Sequence, residues 1–132
     1  MLTNKKIGIQ GTRGSFHHEV ASAYFSSNAP LNEYLSFDSL VEGLKNEEIT
    51  YAIMAIENSI AGSIIPNYAL IDQYNLQITG EHYLNIHHNL MALKEQSINE
   101  IIEVRSHPMA ILQCKQFFMQ HSHIRLVETA DT

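Results

Sequence analysis

Four times along this chain a short apolar run breaks off at glycine or a polar cluster and a stretch of helical periodicity follows. That alternation commits the fold to parallel strands covered by helices. Lys6–Gln10 reads as the first strand, stopped by Gly11. Ser15–Phe25 reads as the helix after it, with Ser15 as N-cap and Phe16, Val20, Ala23 and Tyr24 sharing one face. Glu33–Ser36 reads as a second strand. Phe37, Leu40, Val41 and Leu44 then fall at helical spacing, and either Ser36 or Asp38 can cap that helix. Tyr51–Ile56 is apolar throughout, as a strand covered on both faces is, and reads as the central strand. It ends in Glu57-Asn58-Ser59, after which Ser63–Tyr74 reads as a helix that tolerates Pro66 in its first turn.

Leu76–Leu93 alternates polar and apolar residues over an unusual length, as one long strand or two linked ones would. Such a strand suits a crossing between two lobes, so residues 1–80 are expected to form a first lobe and 81–132 the crossing strand and part of a second. Within the latter, Ser97–Ile102 reads as a short capped helix, Glu103–Arg105 as a strand, Met109–Gln120 as a helix behind Pro108, and Ile124–Val127 as a last strand. Glu128–Thr132 resembles a helix start, and the chain is expected to stop mid-domain.

With 45% hydrophobic and 17% charged residues among 132, the chain can bury a core. Its net charge of −6 and scattered Lys and Arg offer no basic field for a phosphate backbone, so nucleic acid is not an expected partner. The single cysteine, Cys114, excludes an intrachain disulfide and a multi-cysteine zinc site, which fits a reducing compartment. The first residues carry no long apolar segment, and a cytoplasmic chain that does not span a membrane is expected.

Three strand-to-helix junctions carry small or polar residues: Gly11-Thr12-Arg13-Gly14-Ser15, Glu57 to Ser63, and Ser106-His107-Pro108. In an open parallel sheet the carboxyl ends of the strands line one crevice, and each following helix start offers amide protons to an anion. Ser59, Ser63 and Ser106, the Asn58 amide and the Arg13 guanidinium can add directed donors to a carboxylate. A small polyanionic metabolite is the ligand class this chemistry suits. Each feature also has a plain structural use. The glycine turn lacks dinucleotide-fingerprint spacing and serves equally as a tight turn. Ser15, Ser63 and Ser106 suit N-caps. Glu57 at the end of a buried strand is costlier to explain by structure alone, because a buried carboxylate needs partners or a proton.

Eight histidines invite a metal reading, but the His17-His18 and His87-His88 neighbours point apart on a strand or helix and make no natural ligand pair. Cys114, on an apolar helix face, reads as a packing residue. His107, between Ser106 and Pro108, either faces the crevice or caps the helix.

Taken in order, Gly11-x-x-Gly14-x-Phe16, Ile56-Glu57-Asn58-Ser59-Ile60-x-Gly62-Ser63, Gly80-Glu81 with His87 and Leu90, and Ser106-His107-Pro108 with Gln113-Cys114 resemble prephenate dehydratases over nearly the whole chain. The resemblance implies an α/β fold of two lobes like type II periplasmic binding proteins, with sheets covered on both faces and the second lobe incomplete here. It implies decarboxylative dehydration of prephenate to phenylpyruvate in L-phenylalanine synthesis, without metal or organic cofactor. Carried over by motif, Glu57 and Asn58 take catalytic positions, while Gly14, Ser59, Ser63, Ser106, His107 and Gln113 take substrate-binding ones. Glu57 then serves either as an acid with a raised pKa or as an orienting group for Asn58. The chain departs from the family pattern at His17, where serine is usual, and at Met109, where glutamine is common. It contains no Thr-Arg-Phe motif and no ACT domain, and so reads as an inactive fragment. A non-catalytic ligand-binding module of the same fold and an arogenate dehydratase are the competing expectations. Apolar surface left by an interrupted lobe leads to an expected homo-oligomer.

Overall fold

The computed structural model describes residues 5–130. They divide into two compact units, one made of residues up to Asn58 with Ser63–Ile86, the other of Ser59–Gly62 with residues from His87 onward.

In the first unit, β1 (Ile7–Gln10), β2 (Leu31–Tyr34) and β3 (Tyr51–Ile53) form a parallel sheet in the order β2-β1-β3. The register pairs Ile7 with both Leu31 and Tyr51, and Ile9 with both Glu33 and Ile53. β1 is therefore central among these strands, and the expectation that Tyr51–Ile56 takes that place is corrected. β3 pairs only with β1 and leaves the ladder after Ile53. A continuous apolar run reports that both faces are covered, not how many neighbours a strand has.

Helix α1 (Phe16–Tyr24) follows β1, and α2 (Phe37–Lys45) follows β2. Alternation along β1 separates them: Ile7 and Ile9 bury against Ala21 of α1, whereas a side chain on Gly8 would meet Leu40 of α2. The sheet is thus covered by helices on opposite faces. Ser15 caps α1 by accepting from the His18 amide at 3.3 Å. The inward face of α1 runs through Ala21, while Phe16 and Tyr24 remain 40% and 48% exposed, so the buried stripe is rotated from the expected one. Ser36, rather than Asp38, caps α2 in a reciprocal box with Ser39, each Ser's amide reaching the other's hydroxyl at 3.2 and 3.1 Å.

Between β3 and the next helix a small hairpin intervenes that the sequence reading did not anticipate, β4 (Glu57–Asn58) with β5 (Gly62–Ser63). Gly62 has φ of +80°, which a side chain would strain. Helix α3 (Ile65–Gln73) follows, with Pro66 in its first turn and Ile64, not Ser63, at the cap position. Residues 76–93 form no strand. This corrects the expected crossing strand: alternation marks where a strand can go, but a strand exists only where another supplies ladder partners.

The second unit holds a single 3₁₀ turn at Ile98–Glu100, closed by a Ser97/Glu100 capping box, then β6 (Glu103–Ser106), α4 (Pro108–Gln113), α5 (Lys115–Met119) and β7 (Arg125–Glu128). β6 and β7 are parallel, with Ser106 opposite Glu128. The helix expected over Met109–Gln120 breaks at Cys114, whose amide is shared between the carbonyls of Ala110 and Ile111 at 3.0 and 3.2 Å. Of the expected helix start at Glu128–Thr132, Glu128 ends β7, and the last two residues lie outside the described ones. Among the described residues no helix is long and apolar enough to cross a membrane, and no three His, Cys, Asp or Glu side chains gather as a metal site would require.

Candidate functional site

In the first unit, the sheet changes direction at β1: the chain leaves β1 toward β2 and returns to β3 on the other side. The carboxyl ends of β1 and β3 therefore flank the crevice that open α/β sheets use for ligands. Two sequence-expected junctions open there, and they differ in what they have to offer.

The glycine turn after β1 spends its donors internally. The Arg13 amide donates to Glu33 Oε1 at 3.0 Å, Gly14 to His18 Nδ1 at 2.8 Å, and Ser15 to the Thr12 carbonyl at 3.1 Å. Gly11 and Gly14 have φ of +91° and +94°, the reason both are glycine. The Arg13 guanidinium lies 3.7 Å from Glu33, an exposed ion pair. The Arg13 and Gly14 amides are thus not open anion donors, as the tight-turn reading of this loop has it.

The segment after β3 is richer. Glu57, expected to be buried, is exposed on the hairpin, and its carboxylate accepts from two hydroxyls: Ser63 Oγ, which lies 2.9 and 3.1 Å from its two oxygens, and Tyr68 Oη at 2.6 Å. Donation from Tyr68 first, then from Ser63, lowers the Glu57 pKa below the usual carboxylate range. In return the carboxylate raises the Tyr68 phenol. The prospect of Glu57 as an acid made basic by burial is therefore corrected; it stands as an ionised acceptor. Ser63 acts as its ligand rather than as a helix cap.

Two further residues hold the same segment, and the sequence reading missed them. Asn67 is 2% exposed, and its side-chain amide donates to the Ala55 carbonyl at 2.8 Å. His17 accepts from the Ala55 amide through Nε2 at 3.2 Å and packs edge-on against Phe37 with ring centroids 5.5 Å apart. Burial lowers the His17 pKa, so the ring is neutral, with its proton on Nδ1. Both polar groups of Ala55 are therefore pinned, just before Glu57 and Asn58 in the chain. Asn58 is half-buried on β4, and Ser59 is exposed at the hairpin tip.

The second unit places its expected residues at the end of β6. Ser106 is half-buried, and its carbonyl accepts from the Thr129 amide at 2.9 Å. His107 caps α4: its Nδ1 accepts from the Met109 amide at 3.2 Å, which realises the capping alternative. Gln113, half-buried at the end of α4, has its Oε1 bonded to Nε2 of His88. A ring N–H there turns the Gln113 carbonyl toward His88 and leaves its NH₂ as the outward donor. The basic residues nearby are taken up: Glu103 binds Arg105 at 2.5 Å and also Arg125, which lowers the Glu103 pKa.

The family model for prephenate dehydratase matches residues 7–132. A bifunctional chorismate mutase/prephenate dehydratase of Buchnera aphidicola subsp. Schizaphis graminum is 34% identical over 125 residues, covering 92% of this chain and 32% of that protein. The chloroplastic arogenate dehydratase/prephenate dehydratase 2 of Arabidopsis thaliana is 37% identical over 112 residues, covering 83% of this chain and 29% of its own. Among solved structures, the prephenate dehydratase of Staphylococcus aureus subsp. aureus Mu50 superposes with a TM-score of 0.76 at 25% identity, over 94% of this chain and 47% of that one. The chain spans about a third of the length of the curated relatives it matches.

Proposed function

The chain belongs to the prephenate dehydratase family, and from that premise we propose that it is part of an enzyme converting prephenate to phenylpyruvate, carbon dioxide and water in L-phenylalanine synthesis. The observation that carries the reading is the family match over residues 7–132, with Ser106 ending β6 and the Glu57-Asn58 motif on the hairpin that follows β3. The reading includes a cytoplasmic location and, for the full-length protein, the periplasmic-binding-protein-like organisation that the resemblance implies.

The reaction's own balance states what the residues must do. The prephenate dianion loses its ring carboxylate as carbon dioxide, the electron pair of that bond completes the aromatic ring, and hydroxide departs from the opposite ring carbon. One proton is taken up, so that hydroxide leaves as water and a single carboxylate remains. Aromatisation supplies the driving force. The protein needs to orient the diacid, anchor its side-chain carboxylate, and place a proton donor at the departing hydroxyl. Cations are best kept from the ring carboxylate, since stabilising that charge would hold back the group that must leave. In this reading Asn58 contacts the substrate, and Glu57, held as a carboxylate, orients the hairpin that carries it. Ser59, Ser106 and the Gln113 amide donate to carboxylate oxygens. Ser63 and His107 support these contacts from behind, and Gly14 leaves its turn open, with no atom within 4 Å of where a side chain would begin. No metal or organic cofactor is needed for this balance.

The test is phenylpyruvate formation from prephenate by the enzyme that carries this sequence, alongside Glu57→Gln and Ser106→Ala. Both substitutions are expected to lower turnover on the order of ten- to a hundredfold with little change in unfolding midpoint. Unchanged kinetics in both would remove these residues from the site. Arogenate is the second substrate to assay, because the Arabidopsis relative carries both activities in its name and is 37% identical. Tight binding of either acid without turnover would instead favour the ligand-binding module.

A further inference from the structure

Glu57 is held by two hydroxyls, although it lies on the surface, where water would solvate it without help. Two hydroxyls converge on its two oxygens: the single proton of Ser63 Oγ lies within reach of both, and Tyr68 Oη donates to Oε1 at 2.6 Å. A bond that short to a carboxylate is charge-assisted and directional. The two donors come from different elements, Ser63 from β5 and Tyr68 from the first turn of α3, so they fix the carboxylate in two directions. The neighbouring residue of α3, Asn67, grips the Ala55 carbonyl at 2.8 Å. One helical turn therefore holds both ends of the segment that delivers Asn58. A surface ion pair would serve stability alone, yet among the described residues no cation pairs with Glu57. Tyr68 is the titratable group that faces it.

We propose that Tyr68 is a positioning residue for the reaction: together with Ser63, its phenol keeps Glu57 ionised and oriented, and through Glu57 it sets the hairpin that presents Asn58. This rests on the reading of the chain as part of a prephenate dehydratase. Protonation of Glu57 would remove an acceptor from both hydroxyls and loosen the hairpin, so turnover falls on the acid side as Glu57 takes up its proton. The lowered Glu57 pKa sets where that limb lies.

The experiment compares Tyr68→Phe, Ser63→Ala and Glu57→Gln in the enzyme that carries this sequence, by the pH dependence of prephenate turnover and by carbon NMR titration of the Glu57 carboxyl. Tyr68→Phe is expected to lower kcat about tenfold with KM within about twofold, and to move the acidic limb and the Glu57 titration to higher pH. Combined with Glu57→Gln it should add nothing further, because its effect runs through that carboxylate. If Tyr68→Phe does not fold, Ser63→Ala makes the same measurement with the same expected direction. A Tyr68→Phe profile and carboxyl titration superimposable on the wild type would overturn the inference, as would a loss fully additive with Glu57→Gln. Should the wild-type enzyme leave prephenate unchanged, the functional reading fails, while the carboxyl titration still decides whether Tyr68 governs Glu57.

Discussion

At the residue scale, His17 shows how burial sets the protonation state on which a single hydrogen bond depends. Its ring is buried against Phe37 and must be neutral to accept from the Ala55 amide. Because burial lowers its folded pKa below the ordinary 6.5, its contribution to stability is full above that value and is lost as pH falls through the folded one. Urea unfolding across pH should therefore show stability falling below about pH 6.5, with the slope reduced in His17→Gln. Equal slopes in both proteins would show that the ring is not the group being titrated. Glu57 stands out in the sequence as a polar residue where an apolar run ends, but neither its exposure nor its place on a separate hairpin does, because an apolar run does not say where its ladder stops. Asn67 and Tyr68 escaped notice for a different reason. Each sits among apolar neighbours in a helix, and hydrophobic periodicity is blind to a polar side chain whose partner is a backbone carbonyl or a carboxylate ten or so residues away.

At the scale of elements, the helices were the most readable parts, since cap and periodicity are local properties: Ser15 and Ser36 start α1 and α2 where the sequence places them. Strands depend on partners and were read less well. β1 is central because it has a strand on either side, and its crowding has a measurable consequence at Gly8. A Cβ there would lie 2.3 Å from Ile49 Cδ1 and 2.7 Å from Leu40 Cδ1, both on buried side chains. Gly8→Ala is expected to destabilise the protein by about 1–3 kcal/mol through overpacking, read as a lower urea midpoint at unchanged slope. An unchanged midpoint would mean that Ile49 and Leu40 yield without cost. The alternating stretch 76–93 is the converse case, a strand-like pattern with no ladder to join.

At the scale of the whole molecule, large apolar side chains stay at the surface of each unit, among them Leu35 at 91% and Ile65 at 66% in the first, and Ile102 at 78% and Leu93 at 81% in the second. Scattered apolar residues are ordinary, but so many large ones favour association. Sedimentation of the purified 132-residue chain is expected to show a mass that rises with concentration, and a constant monomer mass would refute this. By itself the sequence determined the α/β class, the starts of α1 and α2 and the family, because each is written in spacing and local chemistry. Only the tertiary structure decided which strand is central, that 76–93 makes no ladder, that the glycine turn consumes its own amides, and that Glu57 is held as a carboxylate. Those outcomes depend on partners distant along the chain, and a hydrogen bond belongs to both of its ends.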